Sequence, residues 1–125
     1  MKRLLDVNVL LAAIWDNHPL HDRAFAWLPG KNIVLCPLTE LGFLRISSNP
    51  KAINAPMEKA RDLLMRFAEE RHAGRIPDDL PGLKSAAKKS AHVTDLYLAE
   101  LAAKHGLILA TFDNAIIHSA VELCP

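Results

Sequence analysis

Four carboxylates stand where a solvated surface charge has no need to be: Asp6, Glu40, Asp95 and Asp113. Asp6 ends the strand-like run Lys2-Arg3-Leu4-Leu5, and Asp113 follows Leu107-Ile108-Leu109-Ala110 by way of Thr111-Phe112. Glu40 lies in the first turn of a helix opened by Pro37, and Thr94-Asp95 opens another. In a parallel α/β sheet the crossover helices run antiparallel to the strands, so helix starts and strand ends share one rim. Ligands bind at that rim in open α/β folds. All four acids are expected there.

Such a cluster is strained without a cation. Two carboxylates about 5 Å apart repel by roughly 3 kcal/mol at an effective dielectric near 20. Either some of them hold protons or a metal ion neutralises them. An oxygen-only donor set favours a hard ion, Mg²⁺ or Mn²⁺, over zinc. Such an ion keeps several waters, supplies a nucleophile and holds a phosphate, so the chemistry expected is metal-assisted phosphodiester hydrolysis. Each acid also has a plainer use. Glu40 and Asp95 complement helix dipoles, an effect of about 0.3–1 kcal/mol, and Asp113 suits a turn. Asp6, directly after Leu4-Leu5 and before Val7, is the hardest to explain that way.

The elements that must position these acids are legible in the spacing of apolar residues. A strand over residues 2–8 leads into a helix from Val9 to Trp15, broken by Asp16-Asn17-His18-Pro19. Leu20, Ala24, Trp27 and Leu28 share one face of a helix that Pro29-Gly30 closes. Ile33–Cys36 is a buried-type strand, and a helix runs from Pro37 to about Ile46, where Ser47-Ser48-Asn49-Pro50 stops it. Pro56 starts the clearest helix, with Met57, Ala60, Leu63, Leu64, Phe67 and Ala68 at three- and four-residue steps. Residues 75–82 form a loop with at most a short strand, and a Lys-rich stretch follows. A helix from Thr94 to His105 stops at Gly106, the strand 107–110 follows, and Val121–Leu123 is a candidate last strand. Strands alternating with helices predict an α/β domain with a mainly parallel sheet.

Composition bounds the rest. A chain of 125 residues, half of them hydrophobic, fits one folded domain spanning 1–125 and excludes a disordered or low-complexity chain. With 15 Lys+Arg against 14 Asp+Glu, bulk charge does not hold it on nucleic acid. The charge is unevenly spread, with nine Lys/Arg and six Asp/Glu in residues 51–92 against one Lys and four acids in residues 93–125. A basic flank beside an acidic cluster, or simply solvated helix faces, accounts for that pattern. No bilayer-spanning run or signal peptide is recognised, so a cytoplasmic location is expected. Cys36 and Cys124 follow no metal or disulfide pattern.

Four blocks now fall into order: Leu4-Leu5-Asp6-Val7-Asn8-Val9-Leu10-Leu11-Ala12, Thr39-Glu40-Leu41-Gly42-Phe43-Leu44-Arg45, Val93-Thr94-Asp95-Leu96-Tyr97-Leu98-Ala99 and Ala110-Thr111-Phe112-Asp113. Together they resemble the PIN domain, and within it the VapC-type toxin ribonucleases of prokaryotic toxin–antitoxin pairs. Any one block is weak, but four in the family's order, each with its acid in place, are specific. The resemblance implies a three-layer α/β/α sandwich around a central, mainly parallel sheet. It also implies Mg²⁺-dependent endoribonuclease activity with Mn²⁺ as a substitute, a cognate antitoxin and a homodimer, with no organic cofactor and no membrane partner. Carried over by position, Asp6, Glu40, Asp95 and Asp113 match the acidic quartet that holds the metal, Asp6 and Asp95 most directly. Asn8 and Thr111 match polar residues that support the site. Hydrolysis would then proceed by in-line attack of a metal-activated water on an RNA phosphate, with one carboxylate orienting or deprotonating that water. His92 departs from the pattern, and either touches RNA or fills a loop.

Other residues carry less. His18 and His21 have a spacing that can share a metal, but no Cys or third His lies near them in sequence, and Pro19 suggests a simple helix entry. Lys84, Lys88 and Lys89 are expected on nearly one helical face, either solvated or gripping an RNA backbone. Arg45, five residues after Glu40, either reaches a phosphate or caps its helix. Trp15 and Trp27 are expected as core or interface anchors, and Cys36 as a buried small residue. A phospho-accepting receiver module is the alternative of the same size. It needs paired acids after the first strand and a Lys after a late one, whereas Asp6 stands alone and Lys104 precedes its strand. A PIN-fold shell that binds RNA or protein without cutting is the third reading.

Overall fold

Alternation along three short strands decides what each face of the sheet covers. The computed structural model describes all residues, Met1–Pro125. Strands β1 (Arg3–Leu5), β2 (Ile33–Leu35), β3 (Gly74–Arg75), β4 (Ile108–Thr111) and β5 (Val121–Leu123) form one sheet in the order β3-β2-β1-β4-β5. Every pairing is parallel, with Leu4 opposite both Val34 and Leu109. Successive side chains point to opposite faces. Leu5, Ile33, Leu35 and Ala110 therefore face one layer, and Leu4, Val34 and Leu109 face the other.

The first layer holds α1 (Val7–Ile14), α2 (His21–Trp27), α3 (Pro37–Ser48) and α4 (Met57–Glu70). The second holds α5 (Val93–Lys104), which presses Leu98, Ala99, Leu101 and Ala102 on the sheet. Each fully buried leucine contributes about 1.5–3 kcal/mol over leaving it in water. Both tryptophans are core anchors, Trp15 stacking on Phe43 with ring centroids 6.3 Å apart. The two cysteines lie in different layers, Cys124 with α1–α4 and Cys36 with α5, and both are buried and free. Burial pushes their thiols up, to about 11 for Cys36 and about 12 for Cys124.

The topology has one point of reversal. The chain starts in the middle of the sheet, builds outward through β2 to β3, then returns along α5 to β4 on the other side of β1. The carboxyl ends of β1 and β4 thus flank the crevice where open α/β sheets place their ligands.

Local chemistry sets the element ends. Asp6 is the N-cap of α1, so β1 stops at Leu5 and the strand is shorter than its sequence pattern predicts. Pro37 supplies a pre-set φ at the first position of α3, and the Cys36 N–H donates to Thr39 Oγ1 at 3.3 Å. That helix runs on through Ser47-Ser48 rather than stopping at Ile46. Ser47 is buried and accepts the Trp15 indole N–H at 2.9 Å, and the Ser48 hydroxyl donates to the Leu44 carbonyl at 2.8 Å. Gly106 takes φ +68° after α5, the left-handed stop expected of it. The helical face expected for Lys84, Lys88 and Lys89 does not form. Single 3-10 turns at Gly82–Lys84 and Ser90–His92 bracket an irregular stretch, in which the Ser85 hydroxyl accepts the Ala87 N–H at 3.2 Å instead.

Gly42 of α3 packs tightly on Val7 of α1. A Cβ there would stand 2.7 Å from Val7 Cγ2, and Val7 is β-branched with little rotamer freedom in a helix. Gly42→Ala gains up to about 1 kcal/mol of helix propensity against about 1–3 kcal/mol of overpacking. A net loss of stability is expected in denaturant melts, with Val7→Ala in the Gly42→Ala background restoring it.

Candidate active site

Asp6 is the most buried charged residue at the rim, 4% exposed, directly after the central strand. Its backbone N–H donates to the Ala110 carbonyl at 3.0 Å, which locks it to the end of β4. Oδ1 accepts the Val7 N–H at 2.7 Å, and Oδ2 accepts the Thr111 hydroxyl at 2.8 Å. Thr111 is itself fully buried and held from two sides. Its oxygen accepts Asn8 Nδ2 at 3.1 Å and the Asp113 N–H at 3.0 Å, while Asn8 Oδ1 accepts the Phe112 N–H at 3.2 Å. The first turn of α1 and the end of β4 are thus stitched together by Asp6, Asn8 and Thr111.

Asp95 and Asp113 complete the cluster. Burial raises the Asp95 carboxyl to about 6, helped by the charges of Asp6 and Asp113 and opposed by His92. Burial also raises Asp6, and the charge of Asp113 adds to it, while the bonds from Thr111 and Val7 pull the other way. Asp113 accepts the Ala115 N–H at 2.9 Å, which shapes the turn after β4. No Lys, Arg or His forms an ion pair with any of the three. Asp6 is therefore a buried carboxylate facing two others with no cation beside it.

Glu40 stands apart from that trio. It occupies the first turn of α3 as expected, but its carboxylate accepts Arg75 Nε at 3.2 Å. Spacing in the sequence does not single out Arg75; the signal for it is its place at the carboxyl end of the two-residue strand β3, on the same rim. Arg45 faces the same way as the acids, lining with Asp6, Leu41 and Asp95 a cleft of ≈ 470 Å³. Lys88, Lys89 and His92 lie on the far side of Asp95, and Lys84 is exposed in its 3-10 turn. His18 and His21 bond locally, His18 Nδ1 accepting the Leu20 N–H and His21 Nδ1 meeting the Ala12 carbonyl.

Comparison with known proteins agrees with this architecture. Residues 3–122 match the family model of the PIN domain. Ribonuclease VapC39 of Mycobacterium tuberculosis is 37% identical, covering 96% of this chain and 94% of its own. Ribonuclease VapC38 of the same organism is 35% identical over 95% and 90%, and Ribonuclease VapC44 36% identical over 97% and 92%. Among solved structures, VapBC2 from Rickettsia felis, bound to a DNA fragment from its promoter, superposes with a TM-score of 0.63 at 14% identity over 98% of both chains. FitAcB from Neisseria gonorrhoeae does so with a TM-score of 0.52 at 24% identity over 89% of this chain and 87% of that one. The likeness to these two is one of fold. The chain belongs to the PIN domain family, and its sheet and helices form the α/β sandwich that the resemblance implies. No helix is long and apolar enough to cross a membrane.

Two measurements test the electrostatics. The Asp95 carboxyl holds its proton to about 6 when folded but only to about 4 when unfolded, so between these values the native state binds the extra proton. Its contribution to stability is present below the unfolded pKa and is lost as pH rises through about 6. Asp95→Asn should therefore melt higher than wild type at pH 7 in metal-free buffer, with the gap closing toward pH 4. Thr111→Val leaves Asp6 Oδ2, Asn8 Nδ2 and the Asp113 N–H without their partner. A loss of about 1–3 kcal/mol is expected, and Thr111→Ser should restore most of it in the same melts.

Proposed function

We propose that this chain is a Mg²⁺-dependent endoribonuclease, with Mn²⁺ as a substitute, and the toxin of a toxin–antitoxin pair. The observation that carries the reading is the buried, cation-free carboxylate of Asp6 beside Asp95 and Asp113 at the sheet's point of reversal. The ribonuclease names of the M. tuberculosis relatives support the activity. The VapBC2 complex supports a cognate antitoxin as partner.

The donor set fits a hard divalent ion, being all oxygen and short of positive charge. In this conformation no three His, Cys, Asp or Glu side chains are grouped so that they could together hold a metal ion. Mg²⁺ does not need three, since it usually binds through one or two carboxylates and keeps its waters. Asp6 and Asp95 are the direct ligands in this reading, and Asp113 and Glu40 complete the quartet. When bound, the ion supplies Lewis acidity to the phosphate and lowers the pKa of water.

The protein's own groups do the rest. The Thr111 hydroxyl and the Val7 N–H fix the Asp6 carboxylate, and Asn8 fixes Thr111. One carboxylate of the quartet orients or deprotonates the attacking water. That water's oxygen bonds to phosphorus as the opposite P–O ester bond breaks, and the leaving oxygen takes up a proton from bulk water. Arg45, lining the cleft with Asp6 and Asp95, is placed to pair with a phosphate. The chain works as a single domain, as a homodimer, in the cytoplasm.

The test is cleavage of a structured RNA by purified protein in Mg²⁺ and in EDTA, with Asp95→Asn purified in parallel. Cutting is expected only in Mg²⁺, with the variant slower by roughly 100-fold or more. Full activity in the variant, or in EDTA, overturns the reading.

A further inference from the structure

Glu40 stands on the acidic rim without facing the other acids. Leu41, Gly42 and Arg45, its neighbours on α3, line the cleft with Asp6 and Asp95, and Glu40 does not. Asp6 feels the charge of Asp113, and Asp95 feels those of Asp6, Asp113 and His92, with Glu40 in neither set. The edge of the sheet supplies the reason. Arg75 pairs in register with Leu35, which faces the layer of α1–α4. Paired residues of neighbouring strands point to the same face, so Arg75 points into the layer where α3 begins. The Ile76 N–H donates to the Leu35 carbonyl at 3.0 Å and carries that register past the two residues of β3. Arg75 Nε thereby reaches Glu40 Oε2 at 3.2 Å, and the carboxylate is committed to a partner outside the trio.

A single N–H carries the pair. The terminal nitrogens of Arg75 bond to no group of the chain, so this is not the two-bond fork that locks an arginine on a carboxylate. The Arg75 side chain is 58% exposed and that of Glu40 25%, and ion pairs so open to water shift an equilibrium by up to about fivefold. That is enough to occupy Glu40 and little enough to yield to a divalent ion. Glu69 of α4 lines a hollow with Arg75 and takes part in no ion pair, so a second carboxylate is at hand for the guanidinium. We propose that Arg75 is a latch on Glu40, competing with the divalent ion for this carboxylate. The resting chain offers the ion Asp6, Asp95 and Asp113, and adds Glu40 only when the guanidinium lets go. Arg75 is thus a positioning residue, acting on the ion through Glu40. The inference rests on the metal-dependent reading of the site and orders the recruitment of its four acids.

The experiment measures Mg²⁺ binding without RNA. Calorimetric titrations compare wild type with Arg75→Gln, Arg75→Lys, Glu40→Gln and the double variant Arg75→Gln/Glu40→Gln. Circular dichroism melts in EDTA first verify that each variant folds. Arg75→Gln should bind Mg²⁺ about fivefold more tightly, the full worth of the lost pair. Arg75→Lys keeps a charge that a one-bond pair can use, and should stay within about twofold of wild type. In the Glu40→Gln background the gain from Arg75→Gln should disappear. Unchanged or weaker binding by Arg75→Gln overturns the latch. So does an equal gain with and without Glu40, which would mean that Arg75 acts by its field on the other three acids. No Mg²⁺ binding by wild type and variants alike would instead overturn the metal-dependent reading, and the latch with it.

Discussion

A carboxylate that is 4% exposed has lost nearly all its hydration, and at Asp6 two donors and no cation make up the loss. One donor is the first N–H of α1 and the other is the Thr111 hydroxyl from the end of β4. That hydroxyl has a single proton to give, and it gives it to Asp6. Its lone pairs are then free for Asn8 and for the backbone of Asp113. The direction of the network is thereby fixed, from Asn8 through Thr111 to Asp6. Because α1, β1 and β4 are all tied through these few atoms, the centre of the sheet and its most acidic point cannot be moved independently.

The position of Asp95 has a different origin. It depends on α5, which packs on one face of the sheet through Leu98, Leu101 and Ala102. Along its length that helix is held by polar ties to the loop after β3. Lys104 donates to the Asp79 carbonyl at 2.8 Å, His105 meets the Asp79 carboxylate at 2.8 Å, and the Tyr97 hydroxyl donates to the Leu80 carbonyl at 3.1 Å. Those bonds run along the side of the helix away from the acids. The helix is therefore anchored by apolar contact beneath and polar contact behind, and its first turn projects over the crevice.

Much of this was legible in the residues. The order of strands and helices follows from apolar spacing, proline and glycine, because the inner strands β1, β2 and β4 are largely buried on both faces and helices such as α4 bury one. The shared rim follows from parallel topology alone, which is why Asp6, Asp95 and Asp113 are found together where their sequence positions predict. Two things were not legible. Glu40 is on the rim, but which partner it takes depends on Arg75, and a two-residue strand gives almost no periodic signal to place that arginine. The Lys-rich stretch has helical spacing, yet Ser85 bonds its own neighbourhood and no apolar face repays a helix there, so local hydrogen bonding wins. Likewise Ser47 reads as a breaker and serves as the partner of a buried indole, a role set by a residue 32 positions away.

The two thiols, one in each helical layer, divide the molecule in a way its charges do not. Both are buried and both are held well above neutral pH, so neither is a ready nucleophile in the folded state. Cys36 meets solvent only when the α5 side lifts from the sheet, and Cys124 only when the C-terminal strand or the α1–α4 side parts. The rates at which the two sulfurs become alkylated are thus separate clocks for the opening of the two halves of the sandwich, built into the chain without a label.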